Sequence, residues 1–334
     1  MHSLHFYGQE EAAARMNRFG RDGVPFFFLI DFDESRCVVE ASRDIPADEL
    51  QYVFPHASNA RKEAVQPHAA AKRLEWESHP CSFADYERAF GIVHRHLHAG
   101  NSFLANLTCA TPVTTNFTLH ELFTHSHARY KIWLRDHFTV FSPETFVRIE
   151  GGCIYSYPMK GTMDASLPDA RRRLLDDVKE AAEHATITDL IRNDLSQVAE
   201  EVRVLRYRYV DEVNTHRGTL LQVSSEICGK LPADYREELG TLFFRLLPAG
   251  SVTGAPKRKT VEIIREAETY RRGYYTGVAG FFDGCNLDSA VLIRFVEQAP
   301  GGQLLFKSGG GITFKSRAHA EYEEMKQKIY VPVY

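Results

Sequence analysis

Lys160 is the residue with the clearest capacity for covalent chemistry. It lies in Tyr157-Pro158-Met159-Lys160-Gly161-Thr162. Pro158 restricts the backbone ahead of it and Gly161 frees the backbone behind it, a setting that aims an amine instead of leaving it solvated. A lysine amine is a nucleophile only when neutral. With an ordinary pKa near ~10.4, neutrality at pH 7.4 costs ~4 kcal/mol, so a nucleophilic role predicts that the surroundings lower that pKa.

Carboxylates form the second group. In Lys179-Glu180-Ala181-Ala182-Glu183-His184, helical spacing puts Glu180, Glu183 and His184 on the same face as Ile187, Leu190, Ile191 and Asp194. The apolar part of that stripe belongs in a core, so the two glutamates point inward one turn earlier, where a carboxylate needs a partner. Glu321 and Glu324 are spaced i,i+3 in a second helical run. A solvated helix face explains either pair alone. Four carboxylates on two helices would instead suit a hard cation, Mg²⁺ above all, and no His/Cys cluster argues for zinc.

Two glycine-rich runs complete the set. Pro248-Ala249-Gly250-Ser251-Val252-Thr253-Gly254-Ala255-Pro256-Lys257 reads as a turn opening into a helix, a place where backbone N–H groups meet anions, although its spacing is not that of a Walker loop. Ser308-Gly309-Gly310-Gly311-Ile312-Thr313 follows a strand and permits close backbone approach to a ligand, or is a plain flexible turn.

The elements that position these residues are read from periodicity and turns. Strands are expected at 26–32, 37–41, 103–108, 130–134, 137–142, 146–149 and 153–157, with hairpins at Arg135-Asp136 and Gly151-Gly152. Helices are expected over 168–198, 256–270 and 318–328, and further strands over 275–282, 287–297 and 303–307. Hairpins at both ends with helices between them predict an α+β fold of antiparallel sheets covered by helices. The charged stretch 56–80, with Pro67 and Pro80, is the weakest point for a boundary, and one compact domain is expected.

The bulk properties narrow the function. The chain has 334 residues, 44% hydrophobic and 12% aromatic, with a formal charge of −4. That composition supports a large core and offers no basic surface for nucleic acid or anionic membrane. No apolar run approaches the ~18 residues of a span, and the first residues lack the pattern of a signal peptide. Six cysteines are scattered without Cys-x-x-Cys spacing, as in reduced thiols. The expectation is a cytoplasmic protein that binds neither nucleic acid nor membrane.

Taken in order, these motifs resemble those of the chorismate-utilising enzymes, and within them the aminodeoxychorismate synthase component I branch. The resemblance runs from about Cys81 to the end. It rests on Ser142-Pro143-Glu144, Pro158 to Thr162, Lys179 to His184 followed by Asp189-Leu190-Ile191-Arg192-Asn193-Asp194, Pro248 to Lys257, Arg272-Gly273-Tyr274-Tyr275, Arg294, and Gly309 to Lys328. It implies a single catalytic domain over 1–334, with a short N-terminal region (about 1–80). It also implies two large antiparallel β-sheets in the interior flanked by helices, around a deep cleft.

By resemblance, Glu183 and Glu324 hold Mg²⁺ with Glu180 and Glu321 beside them, and Glu144 is the general acid and base. Tyr275, Arg294, the Gly311 backbone and Lys328 grip the carboxylates of chorismate. Gly161, Thr162, Thr253, Gly254, Gly309 and Gly310 complete the expected substrate-binding set. Lys160 separates the branches, since anthranilate synthases carry Ala in that motif. The water-activating lysine of isochorismate and salicylate synthases falls at Leu104, which cannot act as a base.

The implied reaction is amination of chorismate to 4-amino-4-deoxychorismate, for p-aminobenzoate and folate, through a covalent Lys160 intermediate. Anthranilate synthase component I, isochorismate synthase and a non-catalytic chorismate-binding subunit are the alternatives. No cysteine lies in the Gly-x-Cys-x-Gly setting of a glutaminase, so ammonia is expected from a separate glutamine amidotransferase subunit. The chain departs from the family pattern at Gln222, where a His is usual, at Lys315, and at Tyr157. No Leu-Leu-Glu-Ser motif is present, so no feedback by tryptophan is expected.

Overall fold

A computed structural model describes residues 3–61, 72–215 and 218–333. Residues 62–71, including Pro67 and the middle of the weak boundary stretch, lie outside the described residues. The helices are α1 (Gln9–Arg21), α2 (Phe83–His98), α3 (Leu119–His125), α4 (Ala170–Asp176), α5 (Val178–Leu195), α6 (Leu239–Arg245), α7 (Lys257–Ala267) and α8 (Ala318–Gln327). The early strands are β1 (Phe26–Ile30), β2 (Cys37–Ala41), β3 (Leu50–Phe54), β4 (Ala57–Ser58), β5 (Trp76–Ser78), β6 (Leu104–Thr115), β7 (Tyr130–Leu134), β8 (Phe138–Ser142) and β9 (Thr145–Glu150). Then follow β10 (Cys153–Ser156), β11 (Met159–Asp164), β12 (Glu200–Thr215), β13 (Gly218–Lys230), β14 (Gly254–Ala255), β15 (Val278–Phe282), β16 (Leu287–Val291), β17 (Phe295–Gln298) and β18 (Leu304–Ile312).

These strands form two antiparallel sheets. One runs β11-β13-β10-β9-β16-β15-β1-β2, with β12 paired to β13. The other runs β14-β6-β18-β17-β8-β7-β3-β4, with β5 paired to β6. The alternation of side chains along β1 shows how they stack. Phe26, Phe28 and Ile30 join a core with Met16 of α1, Ile187 and Ile191 of α5, and Phe243 of α6. Phe27 and Leu29 point the other way, onto Tyr52, Ile132, Val140 and Phe295 of the second sheet. That sheet in turn turns Leu107, Phe141 and Phe306 towards Phe90 of α2, Leu122 of α3, Ile263 of α7 and Met325 of α8. The order is helices, sheet, sheet, helices, the expected α+β sandwich with both sheets inside.

Several elements differ from the sequence expectation. The first third is not mainly strand, because α1 and α2 occupy much of it. The Ser82 hydroxyl caps α2 by accepting from the Asp85 N–H, and Tyr86, Phe90, Val93 and Leu97 form its buried stripe. The long hairpin β12–β13 was not expected. The helical run over 168–198 breaks at Asp177, whose side chain accepts from the Glu180 N–H and starts α5. The three glycines Gly309 to Gly311 do not follow a strand as a turn but lie within β18, paired to Thr108, Leu107 and Asn106 of β6. The stretch 287–297 is not one strand, since β16 belongs to the first sheet and β17 to the second. Arg294, at φ +58°, sits in that crossing. A second crossing joins β8 to β9 through Pro143 and Glu144. The two crossings run side by side: Phe141 N donates to Arg294 O at 3.0 Å, and Val291 N donates to Glu144 O at 3.2 Å.

Candidate active site

One cleft of about 490 Å³ collects nearly every residue singled out above, with Glu144, Lys160, Gly161, Thr162, Glu180, Glu183, Tyr275, Arg294, Gly309, Gly310, Gly311, Glu321, Glu324 and Lys328 all on its walls. Several elements, among them β11, α5, β18 and α8, supply them. β11 carries Lys160, whose Nζ donates to Glu183 Oε2 of α5 at 2.9 Å. Gly161 lets β11 and α5 approach, since a Cβ there would sit 3.1 Å from Glu180 Oε2 and its φ is +82°. Lys328 caps α8, donates to Gly309 O at 2.9 Å and pairs with Glu324 at 2.8 Å. Arg294 donates from Nη1 to Lys328 O at 2.9 Å and lies 4.5 Å over the Tyr330 ring. Glu144 Oε1 accepts from Ser251 Oγ at 2.5 Å.

Thr253 and Gly254 are placed differently. Thr253 is fully buried behind the cleft wall, and its carbonyl accepts from Asn106 N at 2.9 Å. Gly254, at φ +126°, pairs with Ala105 and leaves no room for a Cβ against the Leu104 carbonyl. Both support the wall rather than line it.

The electrostatics correct one expectation. Burial works to lower the Lys160 pKa, as expected of a nucleophile. It is outweighed by the charge and hydrogen bond of Glu183 and the charges of Glu324 and Glu180, so the pKa is raised. The expected lowering is therefore overturned for the ligand-free protein, where the amine is held as an ammonium ion among carboxylates. Burial, reinforced by Glu183, raises the pKa of Glu180; burial, reinforced by Glu324, raises that of Glu321 despite a Ser316 hydrogen bond. At Glu324, burial is overcome by Lys328 and the pKa falls. Glu144 is pushed up by burial against the opposing effects of Ser251, Lys328 and Lys160.

The donor set suits a hard cation. Among the described residues, no three His, Cys, Asp or Glu side chains already converge as a ready-made metal site. Glu183 and Glu324 are held by lysines, while Glu180 and Glu321 lie beside them with pKa values raised by burial and by a neighbouring glutamate. Around Gly310 there is a small cradle: a Cβ there would lie 3.6 Å from Glu324 Oε1, 3.7 Å from Glu321 Oε2 and 3.7 Å from Lys328 Nζ. Carboxylate oxygens facing open space beside a lysine suit Mg²⁺ shared with an anionic ligand.

Sequence reasoning missed Ser251, Lys179 and Lys307 on the cleft wall. The first two lie within motifs already quoted; only the folded chain pairs Ser251 with Glu144, whereas the i,i+4 spacing already carried the signal for Lys179 and Glu183, 3.6 Å apart. Lys307 had no sequence signal. It is 1% exposed and donates to Glu297 at 2.7 Å and to the Arg272 carbonyl at 2.9 Å.

With this geometry in place, comparison with known proteins is specific. The family model for chorismate binding enzymes matches residues 11–333. This chain belongs to the chorismate binding enzyme family. It is 48% identical over 331 residues to an uncharacterised PabA-like protein of Pasteurella multocida (strain Pm70), covering 99% of both chains. To aminodeoxychorismate synthase component 1 of Salmonella typhimurium it is 32% identical over 269 residues, covering 76% of this chain and 58% of that synthase. In fold, this chorismate binding enzyme is similar to the menaquinone-specific isochorismate synthase of Escherichia coli, with TM-score 0.73 and 16% identity over 98% of this chain and 83% of that one. The family assigns chorismate chemistry to the chain, and the wall of the cleft holds the residues to which the expectation attached it, apart from Thr253 and Gly254.

Proposed function

We propose that the chain is an aminodeoxychorismate synthase component I, converting chorismate and ammonia into 4-amino-4-deoxychorismate. The observation that carries this reading is the position of Lys160, whose amine reaches into the same cleft as Glu144, Arg294 and Lys328. Chorismate is a dianion. Arg294 and Lys328, one bidentate-capable and one a point charge, grip its carboxylates together with the Gly311 backbone, and Tyr275 closes the buried end.

Lys160 gives up its ammonium proton to solvent and attacks C2 of the ring with the neutral amine. The ring double bonds shift and the C4 hydroxyl departs, taking a proton from Glu144. Ammonia then forms a bond to C4, the double bonds return, and the C2–N bond breaks to release the Lys160 amine. Glu144 recovers a proton from the incoming nitrogen. Its raised pKa suits the protonated starting state. Mg²⁺ held by Glu183 and Glu324, with Glu180 and Glu321 beside them, would supply positive charge to a substrate carboxylate and weaken the hold of Glu183 on Lys160. Leu104, apolar and packed 3.1 Å from the Cβ position of Gly311, provides no base for water as nucleophile.

Ammonia comes from a separate glutamine amidotransferase subunit, since the chain has no glutaminase cysteine setting. Incubation of the purified chain with chorismate, Mg²⁺ and ammonium at mildly alkaline pH should give 4-amino-4-deoxychorismate by mass spectrometry. Lys160→Ala should reduce it at least about 100-fold, and glutamine should not replace ammonium. Anthranilate or isochorismate as the product would assign the chain to another branch, and turnover of glutamine by the chain alone would remove the need for a partner.

A further inference from the structure

Behind the cleft, two cysteines that the reaction does not use stand in side-chain contact, with Cys81 Sγ 4.0 Å from Cys109 Sγ. Cys81 is in the irregular segment just ahead of the α2 cap, and Cys109 is held in the β6 ladder opposite Ser308 of β18. Both are partly exposed. One sulfur therefore sits on a segment that can adjust and the other on a rigid strand. From van der Waals contact, a bond of ~2.05 Å requires a shift of only about 2 Å.

We propose that Cys81 and Cys109 are a redox-modification site that closes to a disulfide on reaction with a hydroperoxide. The Cys81 sulfur attacks one peroxide oxygen and the O–O bond breaks. Water leaves when the oxidant is hydrogen peroxide, and Cys81 becomes a sulfenic acid. The Cys109 sulfur then attacks Cys81, the S–S bond forms, and the sulfenic hydroxyl leaves as a second water with the Cys109 proton. Two thiols are oxidised and one peroxide is reduced.

The division of roles follows from the contact. The contact between the two thiols lowers the Cys81 pKa, while Cys109 is pushed up by the same contact and by burial. Cys81, on the segment that can adjust, is the sulfur oxidised first, and Cys109, fixed in the β6 ladder, resolves it. No other cysteine has this combination. Cys37 is buried and pushed up to about 12 by burial. Cys228, near Cys153, is buried with its pKa raised by burial and by Cys153. Cys285 is exposed, on the turn after β15.

The site is joined to α8. Tyr322 Oη donates to the Cys81 carbonyl at 2.7 Å, one residue from Glu321. The inference does not rest on which reaction the cleft performs. Its test is peptide mapping of the full chain after brief treatment with hydrogen peroxide and alkylation of the remaining thiols. A Cys81–Cys109 cross-linked peptide, about 2 Da lighter than the two thiol peptides and reversed by dithiothreitol, is expected, with four of the six thiols of the chain still alkylated. In Cys109→Ser, a sulfenic acid trappable by dimedone should accumulate at Cys81. Six alkylated thiols after treatment, a Cys153–Cys228 link instead, or labelling of another cysteine ahead of Cys81 would each overturn the proposal.

Discussion

Glu144 shows how far a single side chain can be read. Its carboxyl is pushed up by burial, and the Ser251 hydroxyl works against that shift by hydrogen bonding to the ionised form. Replacing Ser251 with Ala removes this stabilisation, so the Glu144 pKa rises further. The alkaline limb of the kcat/KM profile, where protonated Glu144 is lost, should move to higher pH in Ser251→Ala, with activity lower by roughly 10-fold. The same shift has a stability consequence. The folded-state pKa of Glu144 lies above its ordinary 4.5, so its contribution is fully present at lower pH and is lost as pH rises from 4.5 through the folded value. Glu144→Gln should therefore abolish turnover while raising the melting temperature at neutral pH, and that gain should vanish below about pH 4. The identity of Glu144 was legible from Ser142-Pro143-Glu144. Its partner was not, because a hydroxyl so far along the chain is placed by packing alone. Lys160 was legible in position but not in its ligand-free charge state, since three surrounding glutamates raise its pKa and only the fold brings them together.

At the scale of elements, β18 separates structure from chemistry within two adjacent residues. A Cβ on Gly309 would run into the Leu107 carbonyl and lie 2.8 Å from the Thr108 Cα, both in the paired strand. A Cβ on Gly310 would meet only the ends of Glu324, Glu321 and Lys328, none closer than 3.6 Å. Gly309→Ala should cost about 3 kcal/mol in urea unfolding. Gly310→Ala should change stability by less than about 0.5 kcal/mol yet raise the KM for chorismate by about 10-fold or more. The glycines were visible in the sequence, but a run of three reads as a turn, and only the ladder to β6 shows a strand. α2 was legible in principle, through Ser82 and the spacing of Tyr86, Phe90, Val93 and Leu97, and was obscured by the strand-like residues around it. The break between β16 and β17 had no local signal, because both halves are apolar and the change of sheet is a tertiary event.

Across the whole molecule, a buried network ties the cleft wall to the core. Arg272 and Glu268 are 2% and 1% exposed and pair at 2.6 Å. Arg272 also donates to the Val252 carbonyl at 2.8 Å and the Asn106 carbonyl at 2.6 Å, joining the glycine-rich loop to β6. Removing one partner strands a charge, so Arg272→Ala should lower the unfolding free energy by about 3–5 kcal/mol, and replacing Arg272 with Met together with Glu268 with Leu should recover much of it. Urea titration of the three proteins would decide this. The α+β class was legible because hairpins at both ends of the chain enclose helices, and the two interior sheets were implied by the family resemblance. Which strands share a sheet was not, since that depends on pairings between distant segments.

The two crossings between the sheets have one more consequence. Glu144 rides the passage from β8 to β9 and Arg294 the passage from β16 to β17, in opposite directions between the same two layers. The residues proposed as proton donor and carboxylate clamp thus share one seam, tied by the Phe141–Arg294 and Val291–Glu144 backbone bonds. Ala290, Leu292 and Phe295 pack between the layers beside that seam although none carries a reactive group. Trimming these core side chains should therefore disturb the placing of Glu144 and Arg294 before it unfolds the chain.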